Sequence, residues 1–233
     1  MNWSYFDRIY CISLKERPDR RMEARSQFHA VGLLPLVEFV IVEKHPVDCE
    51  QGIFESHLLC MKKGLRSGAR NIMIFEDDIC FERFAPHVLE SAVKFMKTDA
   101  HWKILFLGCM VKGSRKTENR SVLKVKFRSL CHAYVANADF AQHLVAKTWR
   151  KIPFDDMLRD LRDDHFYAVY PSFAFQGNAR SDNHRYLALD RFRRLCGGLR
   201  RLQKINERFH MHKGIIVMIH VVFIFMLAAI LMG

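Results

Sequence analysis

Short apolar runs alternate with helical segments along the first half of the chain, and this alternation constrains the fold more than any other feature. Runs that suit buried strands occupy residues 9–14, 37–42, 71–75 and 104–107. Segments of helical character lie between them, at 21–31, 54–67 and 86–96. Because a crossover helix joins parallel strands, this order predicts an α/β fold with a mostly parallel central sheet.

The second half of the chain continues the pattern with weaker signals. A strand is expected at 133–136, a helix at 138–149, an acidic loop or short helix at 155–164 and a last apolar segment at 168–175, which Pro171 interrupts. Residues 112–120 are polar and charged without periodicity, which indicates an exposed loop. The chain has 233 residues and 50% hydrophobic content, so one well-buried domain is expected.

The last 20 residues, 214–233, form an apolar run without a formal charge, which only His220 interrupts with a polar group. A helix of this length covers about 30 Å, which matches the hydrocarbon thickness of a bilayer. A buried core helix or an amphipathic surface helix is the alternative, but the run has no polar face. We therefore predict one C-terminal transmembrane helix.

Basic residues are concentrated just before this run. The formal net charge is +12, and residues 191–213 hold much of it, with Glu207 as their single acid. Such a segment stays on the cytoplasmic side and attracts anionic headgroups. Residues 1–10 have no signal-peptide core, and the seven scattered cysteines are typical of reduced thiols. We expect a cytoplasmic domain at 1–190, a basic juxtamembrane segment at 191–213 and a membrane anchor at 214–233.

Three consecutive acids, Glu76, Asp77 and Asp78, follow the apolar run 71–75 directly. Ligands bind at the carboxyl ends of parallel strands, so this position favours a site. Carboxylates placed there can hold Mg²⁺ or Mn²⁺ against a substrate diphosphate. A solvated loop or a helix N-terminus is the alternative interpretation of such a triplet.

Several separate segments form an ordered pattern around this triplet. They are YCISLKERPDRR at 10–21, GIFESHL at 52–58, IMIFEDDI at 72–79, ILFLG at 104–108, HAYV at 132–135, PFDDML at 153–158 and YPSFAFQ at 170–176, followed by Ser181 and Asp182. Together they resemble glycosyltransferase family 25, which includes lipopolysaccharide galactosyltransferases of bacteria and procollagen galactosyltransferases of animals. The resemblance covers residues 9–182.

This resemblance implies a GT-A-like nucleotide-diphospho-sugar transferase fold. It implies transfer of a hexose, commonly galactose, from a UDP-sugar with inversion at the anomeric carbon. A Mn²⁺ or Mg²⁺ ion is expected on Glu76, Asp77 and Asp78, with Asp182 or His184 completing its shell. The expected donor-binding residues are Leu14, Arg17, Asp19, Arg20, Ser56, His57 and Glu76.

The donor-binding residues have structural alternatives. Arginine can fork onto phosphate or ribose oxygens, but a solvated basic turn also explains Arg17, Asp19 and Arg20. Ser56 and His57 could orient the donor, or could be a helix-capping serine beside a packed histidine. Three departures from the family pattern, Ile53, Glu55 and Lys103, leave the choice of donor open.

An inverting transfer needs a general base on the side of the sugar opposite the leaving diphosphate. Asp155 and Asp156, in the PFDDML segment, are the candidates, and Asp155 matches the family's Pro-x-Asp pattern better. A helix cap is the alternative role for these acids. The sequence thus assigns the cation and the base to different segments of the chain.

The acceptor is expected to be a saccharide or a lipid-linked glycan, as in lipopolysaccharide or glycoprotein glycan synthesis, because the anchor would hold the domain at a membrane. One alternative is a catalytically inactive, membrane-tethered protein that keeps the fold and binds partners. Nucleic-acid binding is a second alternative, suggested by a pI near 9.5. It is disfavoured because the positive charge lies beside the apolar run and not among stacking aromatic residues.

Overall fold

The computed structural model describes residues 2–177 and 197–232. Its helices are α1 (Pro18–Ala30), α2 (Cys49–Arg66), α3 (Pro86–Thr98), α4 (Ala138–Val145), α5 (Phe154–Leu161) and α6 (Gly198–Met232). Its strands are β1 (Arg8–Leu14), β2 (Val37–Val42), β3 (Asn71–Glu76), β4 (Ile79–Phe81), β5 (Ile104–Phe106), β6 (Met110–Lys116), β7 (Val122–Ser129), β8 (Ala133–Asn137), β9 (Phe166–Val169) and β10 (Ala174–Gln176). The two short 3₁₀ helices are Asn2–Tyr5 and Leu34–Leu36.

The central sheet has eight strands in the order β2-β1-β3-β8-β5-β9-β7-β6. Strand β1 is parallel to both neighbours, and β5 is parallel to β9. Strands β8 and β7 are antiparallel to their neighbours, so the other six of the eight strands run in one direction. The prediction of an α/β fold with a mostly parallel sheet is confirmed.

The order in which the chain adds strands to the sheet changes direction at β1. From β1 the chain crosses through α1 to β2 on one side, and then through α2 to β3 on the other side. Met73 and Phe75 of β3 pack in one core with Phe28 of α1, while Ile72 and Ile74 face the second core. A crevice therefore opens outside the carboxyl ends of β1 and β3, where α/β sheets bind ligands.

Helix α6 covers the free edge of the sheet along β6. The side chain of Asn206 accepts a hydrogen bond from the Val111 N–H at 2.8 Å and donates one to the Val111 carbonyl at 3.0 Å. Gln203 is fully buried and donates to the Ala174 carbonyl at 2.9 Å. The first half of α6 is thus packed on the domain and supplies polar groups that a neighbouring strand would otherwise provide.

Charged residues add to this packing. Glu82 pairs with Arg200 at 2.9 Å and with Lys204, and Glu207 pairs with Arg83 at 3.3 Å. The predicted basic segment is therefore helical from Gly198 onward, and α6 continues across the predicted boundary at residues 213 and 214. The predicted boundary at 190 lies outside the described residues.

The second half of α6 is exposed and apolar. Residues Gly198–Met226 contain a stretch long and apolar enough to cross a membrane, with a mean hydropathy of 1.7 and none of it buried. This agrees with the predicted C-terminal membrane helix. The cytoplasmic location of the domain stays a prediction.

One sequence expectation was wrong in its local structure. Residues 112–120 were expected to be a loop, but Met110–Lys116 is strand β6, paired with β7. The sequence of β6 has no alternating apolar pattern, because its charged side chains lie at the sheet edge and face solvent and α6 in place of an apolar core. The last apolar segment, 168–175, is divided between β9 and β10, and β10 pairs with β4 in a separate two-stranded sheet.

Candidate active site

A cavity of about 880 Å³ lies at the carboxyl ends of β1 and β3, in the crevice that the sheet order creates. Most of the residues that the sequence singled out line it, namely Leu14, Arg20, Ser56, His57, Glu76, Asp77, Asp78, Asp155 and Asp156. Arg17 and Asp19 are not among the lining residues, and their side chains pair with each other at 2.9 Å. Asp182 and His184 lie outside the described residues.

Arg20 joins the two aspartates of the acidic triplet. Its Nη2 lies 2.8 Å from Asp78 Oδ2, and its Nε lies 3.2 Å from Asp77 Oδ1. The three side chains are only 11%, 7% and 8% exposed, respectively. Helix α1 begins at Pro18, so its first turn brings Arg20 toward the end of β3. Since buried carboxylates repel one another, this arginine supplies the charge that holds them together.

The aspartates offer oxygen atoms that suit a hard cation. Asp78 Oδ2 also accepts a hydrogen bond from Gln176 at 2.8 Å, whereas its buried Oδ1 has no hydrogen-bond partner among the described residues. Within residues 2–177 and 197–232, no group of three His, Cys, Asp or Glu side chains is arranged to hold a metal. Asp77 and Asp78 can supply two carboxylate ligands but do not form a complete metal site within these residues, so a Mn²⁺ or Mg²⁺ ion here stays a prediction.

Glu76 lies on the α2 side of the cavity beside His57. Nε2 of His57 is 3.4 Å from Glu76 Oε1, and Nδ1 is 3.0 Å from the Tyr134 hydroxyl. The ring of His57 stacks on Phe154 with a centroid distance of 4.3 Å. Burial lowers the pKa of His57 to about 4, so this histidine is neutral at neutral pH. Burial and the nearby Asp78 raise the pKa of Glu76 well above its ordinary value.

Ser56 does not cap helix α2. The helix begins at Cys49, its N-cap is Asp48, and Ser56 lies about two turns inside the helix, where it donates to the Gly52 carbonyl at 2.6 Å. The capping alternative for Ser56 is therefore wrong, while the alternative of a packed histidine describes His57.

Asp155 lies in the first turn of helix α5 and lines the cavity from that helix. Its Oδ2 accepts from the Leu130 N–H at 2.7 Å, and its Oδ1 accepts from the Cys131 N–H at 3.2 Å. Burial, followed by the charge of Glu76, raises the pKa of Asp155 to about 7. Each oxygen keeps a further lone pair for another donor. This carboxyl group can therefore exchange a proton near neutral pH.

Asp156, the second candidate for the general base, is partly exposed to solvent. It pairs with Arg159 of the same helix, with 2.5 Å between Oδ1 and Nη1. Its side chain is 38% exposed, so solvent screens this pair. Both predicted base candidates thus line the cavity, and the buried one, Asp155, has a raised pKa.

His132 was missed among the candidate residues. It lines the cavity, is buried, and neither of its ring nitrogens has a hydrogen-bond partner of ordinary geometry among the described residues. Burial lowers its pKa, although Asp78 and the nearby backbone of Ala174 and Leu130 act in the opposite direction. Its place in the HAYV segment was a signal, because that segment belongs to the ordered pattern. Alone, a histidine before a strand is not diagnostic.

Comparisons with known proteins give remote structural likenesses. No family model matches the chain. A glycosyltransferase involved in the glycosylation of the major capsid of PBCV-1 has a TM-score of 0.43 at 7% identity, over 69% of this chain and 80% of that one. Mannose-1-phosphate geranyltransferase from Thermus thermophilus has a TM-score of 0.43 at 6% identity, over 71% and 74%. A197 from STIV has a TM-score of 0.41 at 10% identity, over 72% and 84%. Membership of glycosyltransferase family 25 therefore stays a prediction from the sequence motifs.

Proposed function

We propose that the protein is an inverting glycosyltransferase that moves a hexose, galactose in the first instance, from a UDP-sugar to a glycan acceptor. The main observation behind this proposal is the cavity at the carboxyl ends of β1 and β3. It brings the acidic triplet, Arg20 and Asp155 together from separate segments of the chain. Many α/β proteins bind nucleotides in a crevice at this position of the sheet.

Asp77 and Asp78 would hold Mn²⁺ or Mg²⁺ in this function. The bound cation would neutralise the charge that develops on the leaving diphosphate. Support comes from the buried Asp78 Oδ1, which has no hydrogen-bond partner among the described residues. Arg20 would keep both carboxylates in place and can also present its guanidinium to phosphate oxygens.

His132 and His57 would act as neutral binding groups on two sides of the cavity. Buried imidazole nitrogens without a well-formed hydrogen bond are costly, so His132 is suited to form one with the sugar donor. His57 is fixed by Tyr134 and Phe154, and it in turn holds the position of Glu76. Glu76 would then face the sugar or ribose hydroxyls of the donor.

Asp155 would be the general base that accepts the proton of the attacking acceptor hydroxyl. Its raised pKa, about 7, lies close to neutral pH, where a general base is most effective. The two backbone N–H groups that bond to it fix the carboxylate in one orientation. Asp155 belongs to α5 and the Asp77–Asp78 pair follows β3, so base and cation would reach the sugar from different elements.

The acceptor would be presented at a membrane, as a saccharide or a lipid-linked glycan. Leu199, in the first turn of α6, lines the same cavity, and α6 continues from there into the apolar stretch. The cavity is thus connected to the predicted membrane span by one unbroken helix. A soluble glycan would not need this connection.

A membrane-tethered binding protein without turnover is the second candidate. It is favoured by one observation: Arg20 already offsets part of the negative charge of Asp77 and Asp78, which lessens their need for a cation. In that case the cavity would bind a nucleotide or a glycan without catalysis. The two candidates predict different results in the following assay.

The assay measures UDP released by the purified full-length protein from a panel of UDP-sugars, with Mn²⁺ or with EDTA. We expect turnover with one hexose donor, loss of turnover in EDTA, and at least about a hundredfold loss in Asp78→Asn. Asp139→Asn is the matched control, because Asp139 is exposed on α4 outside the cavity. Absence of turnover with every donor, or equal turnover in Asp78→Asn, would contradict the proposal.

A further inference from the structure

A second cavity, of about 400 Å³, lies on the β6–β7 hairpin beside helix α6. Its charged lining residues are Lys112, Arg115, Lys124, Lys126, Lys213 and Asp164. We call this cavity the basic groove. It has five cationic side chains and one acid, so its net charge is strongly positive.

The hairpin places like charges next to one another. Arg115 is directly opposite Lys124 in the β6–β7 register, and Lys126 is opposite Gly113. Like charges at opposed positions destabilise an antiparallel pair. No ion pair joins the five cations of the basic groove to a carboxylate within the described part of the chain. The groove therefore has positive charge to offer to an anion from outside the chain.

The basic groove is next to the predicted membrane span. Lys213, which belongs to the groove, directly precedes Gly214, the first residue of the apolar run. Strand β6 and helix α6 run in the same direction, since Val111 bonds to Asn206 and Ser114 bonds to the His210 carbonyl at 3.3 Å. His210 precedes Gly214 by four residues, which is about 6 Å along a helix. The β6–β7 hairpin therefore extends along α6 to about the position of Gly214, where the predicted membrane span begins.

We propose that the basic groove binds the phosphate of an anionic phospholipid headgroup in the leaflet that α6 enters. The proposal rests on the predicted membrane span and not on the proposed glycosyl transfer. A lipid phosphate is the anion favoured here, because Lys213 lies both in the groove and at the end of the apolar run. Clustered Lys and Arg side chains at that depth are attracted to anionic lipid.

Lipid bound in the groove would orient the first cavity relative to the bilayer. Helix α6 alone allows the domain to tilt relative to the bilayer, whereas a second contact through the hairpin restricts this tilt. From Leu199, which lines the first cavity, to Gly214 the helix rises about 22 Å. The first cavity would then be held at this distance from the headgroups.

The test is lipid binding by the full-length protein in a neutral detergent, measured by native mass spectrometry. Phosphatidylglycerol and phosphatidylcholine with the same acyl chains are titrated separately. The groove variant is Arg115→Gln/Lys124→Gln/Lys126→Gln. The control variant is Lys62→Gln/Arg66→Gln/Arg150→Gln, which removes the same charge from exposed positions outside the groove.

We expect wild type and the control to prefer phosphatidylglycerol, and the groove variant to bind it roughly tenfold to a hundredfold more weakly. If the triple variant does not fold, Lys126→Gln alone should weaken binding about fivefold. Equal binding of the two lipids by wild type, or equal losses in the groove and control variants, would overturn the proposal. Displacement of the lipid by an equal concentration of inorganic phosphate would also overturn it, because the anion would then not be specific to lipid.

Discussion

The first cavity, at the carboxyl ends of β1 and β3, and the basic groove are both rich in charge, but the fold balances their charges differently. In the first, Asp77 and Asp78 are almost buried and Arg20 pairs with both. In the basic groove, Lys112, Arg115 and Lys126 are exposed, and none of them forms an ion pair with a carboxylate among the described residues. A buried charge must be compensated inside the protein, whereas water and salt screen an exposed one.

This difference separates two kinds of ligand. In the first cavity, Arg20 already offsets part of the charge of the buried aspartates. Such a cavity suits a ligand of defined geometry, such as a metal ion with a diphosphate. An exposed groove of flexible lysines attracts an anionic surface through net charge and requires little geometry. The predictions below test these two descriptions, beginning with the largest effect.

Asp155→Asn should have the largest effect on activity. Loss of the general base should lower kcat by about 10² to 10⁴ with a smaller change in KM. The matched variant is Asp156→Asn, which changes a half-exposed carboxylate on the same helix and should stay within about threefold of wild type. Steady-state kinetics with the donor found in the panel measure both. If kcat fell only in Asp156→Asn, Asp156 and not Asp155 would be the general base.

Arg20→Ala should have the largest effect on stability. It leaves two buried carboxylates uncompensated, so we expect a loss of about 3 kcal/mol in the free energy of unfolding. Mn²⁺ should recover part of this loss by binding the same oxygens. Thermal unfolding of the full-length protein in detergent measures both changes.

Lys15→Ala is the control for this stability measurement. Lys15 and Glu43 form a pair in which both side chains are mostly exposed, at 66% and 76%. Its loss should cost less than about 1 kcal/mol. An Arg20→Ala variant as stable as Lys15→Ala would show that the triplet does not need its arginine.

The pH dependence should reflect Asp155. A base with a pKa of about 7 must be deprotonated to act, so kcat should rise about tenfold per pH unit below 7 and level off above it. The pKa of His57, about 4, keeps this histidine neutral throughout that range.

Stability should change in the opposite direction. Because the folded-state pKa of Asp155 is raised, its contribution to stability is present below pH 3.8 and is lost as the pH rises through about 7. Asp155→Asn should flatten this part of a plot of Tm against pH. An unchanged slope in the variant would assign the titration to another group.

Lys124→Gln should have the smallest effect. Removing one of two opposed cations should stabilise the protein by about 0.2–1 kcal/mol at low salt, and the gain should shrink at high salt. Thermal unfolding at two ionic strengths measures it. A loss of stability would mean that Lys124 has a favourable contact on the hairpin.

The sequence predicted the parts of the fold that depend on burial. The strands around Phe75 and Phe106 and the helices that contain Phe28 and Met61 have apolar patterns, since one or both of their faces enter the core. Strand β6 lacks such a pattern because its partner at the sheet edge is α6, which is far away in sequence. Local periodicity contains no information about that partner.

The site shows the same limit. Most of the predicted residues were found around one cavity, because each belonged to a motif next to the end of a strand or the start of a helix. The contacts between them could not be predicted. Arg20 reaches Asp77 and Asp78 from another element, and the amides that bond to Asp155 come from the turn before β8. The basic groove was missed for the same reason, since it combines a hairpin and a helix that are distant in sequence.

The central claim is that Asp77 and Asp78 form a cation site for a nucleotide diphosphate, and Mn²⁺ binding tests it most directly. Isothermal titration calorimetry of Mn²⁺ into the full-length protein, with and without UDP, should show tighter binding when UDP is present. Asp78→Asn should weaken Mn²⁺ binding at least about tenfold, and the exposed Asp139→Asn control should not change it. Equal Mn²⁺ affinity in wild type and Asp78→Asn, with no effect of UDP, would contradict the claim.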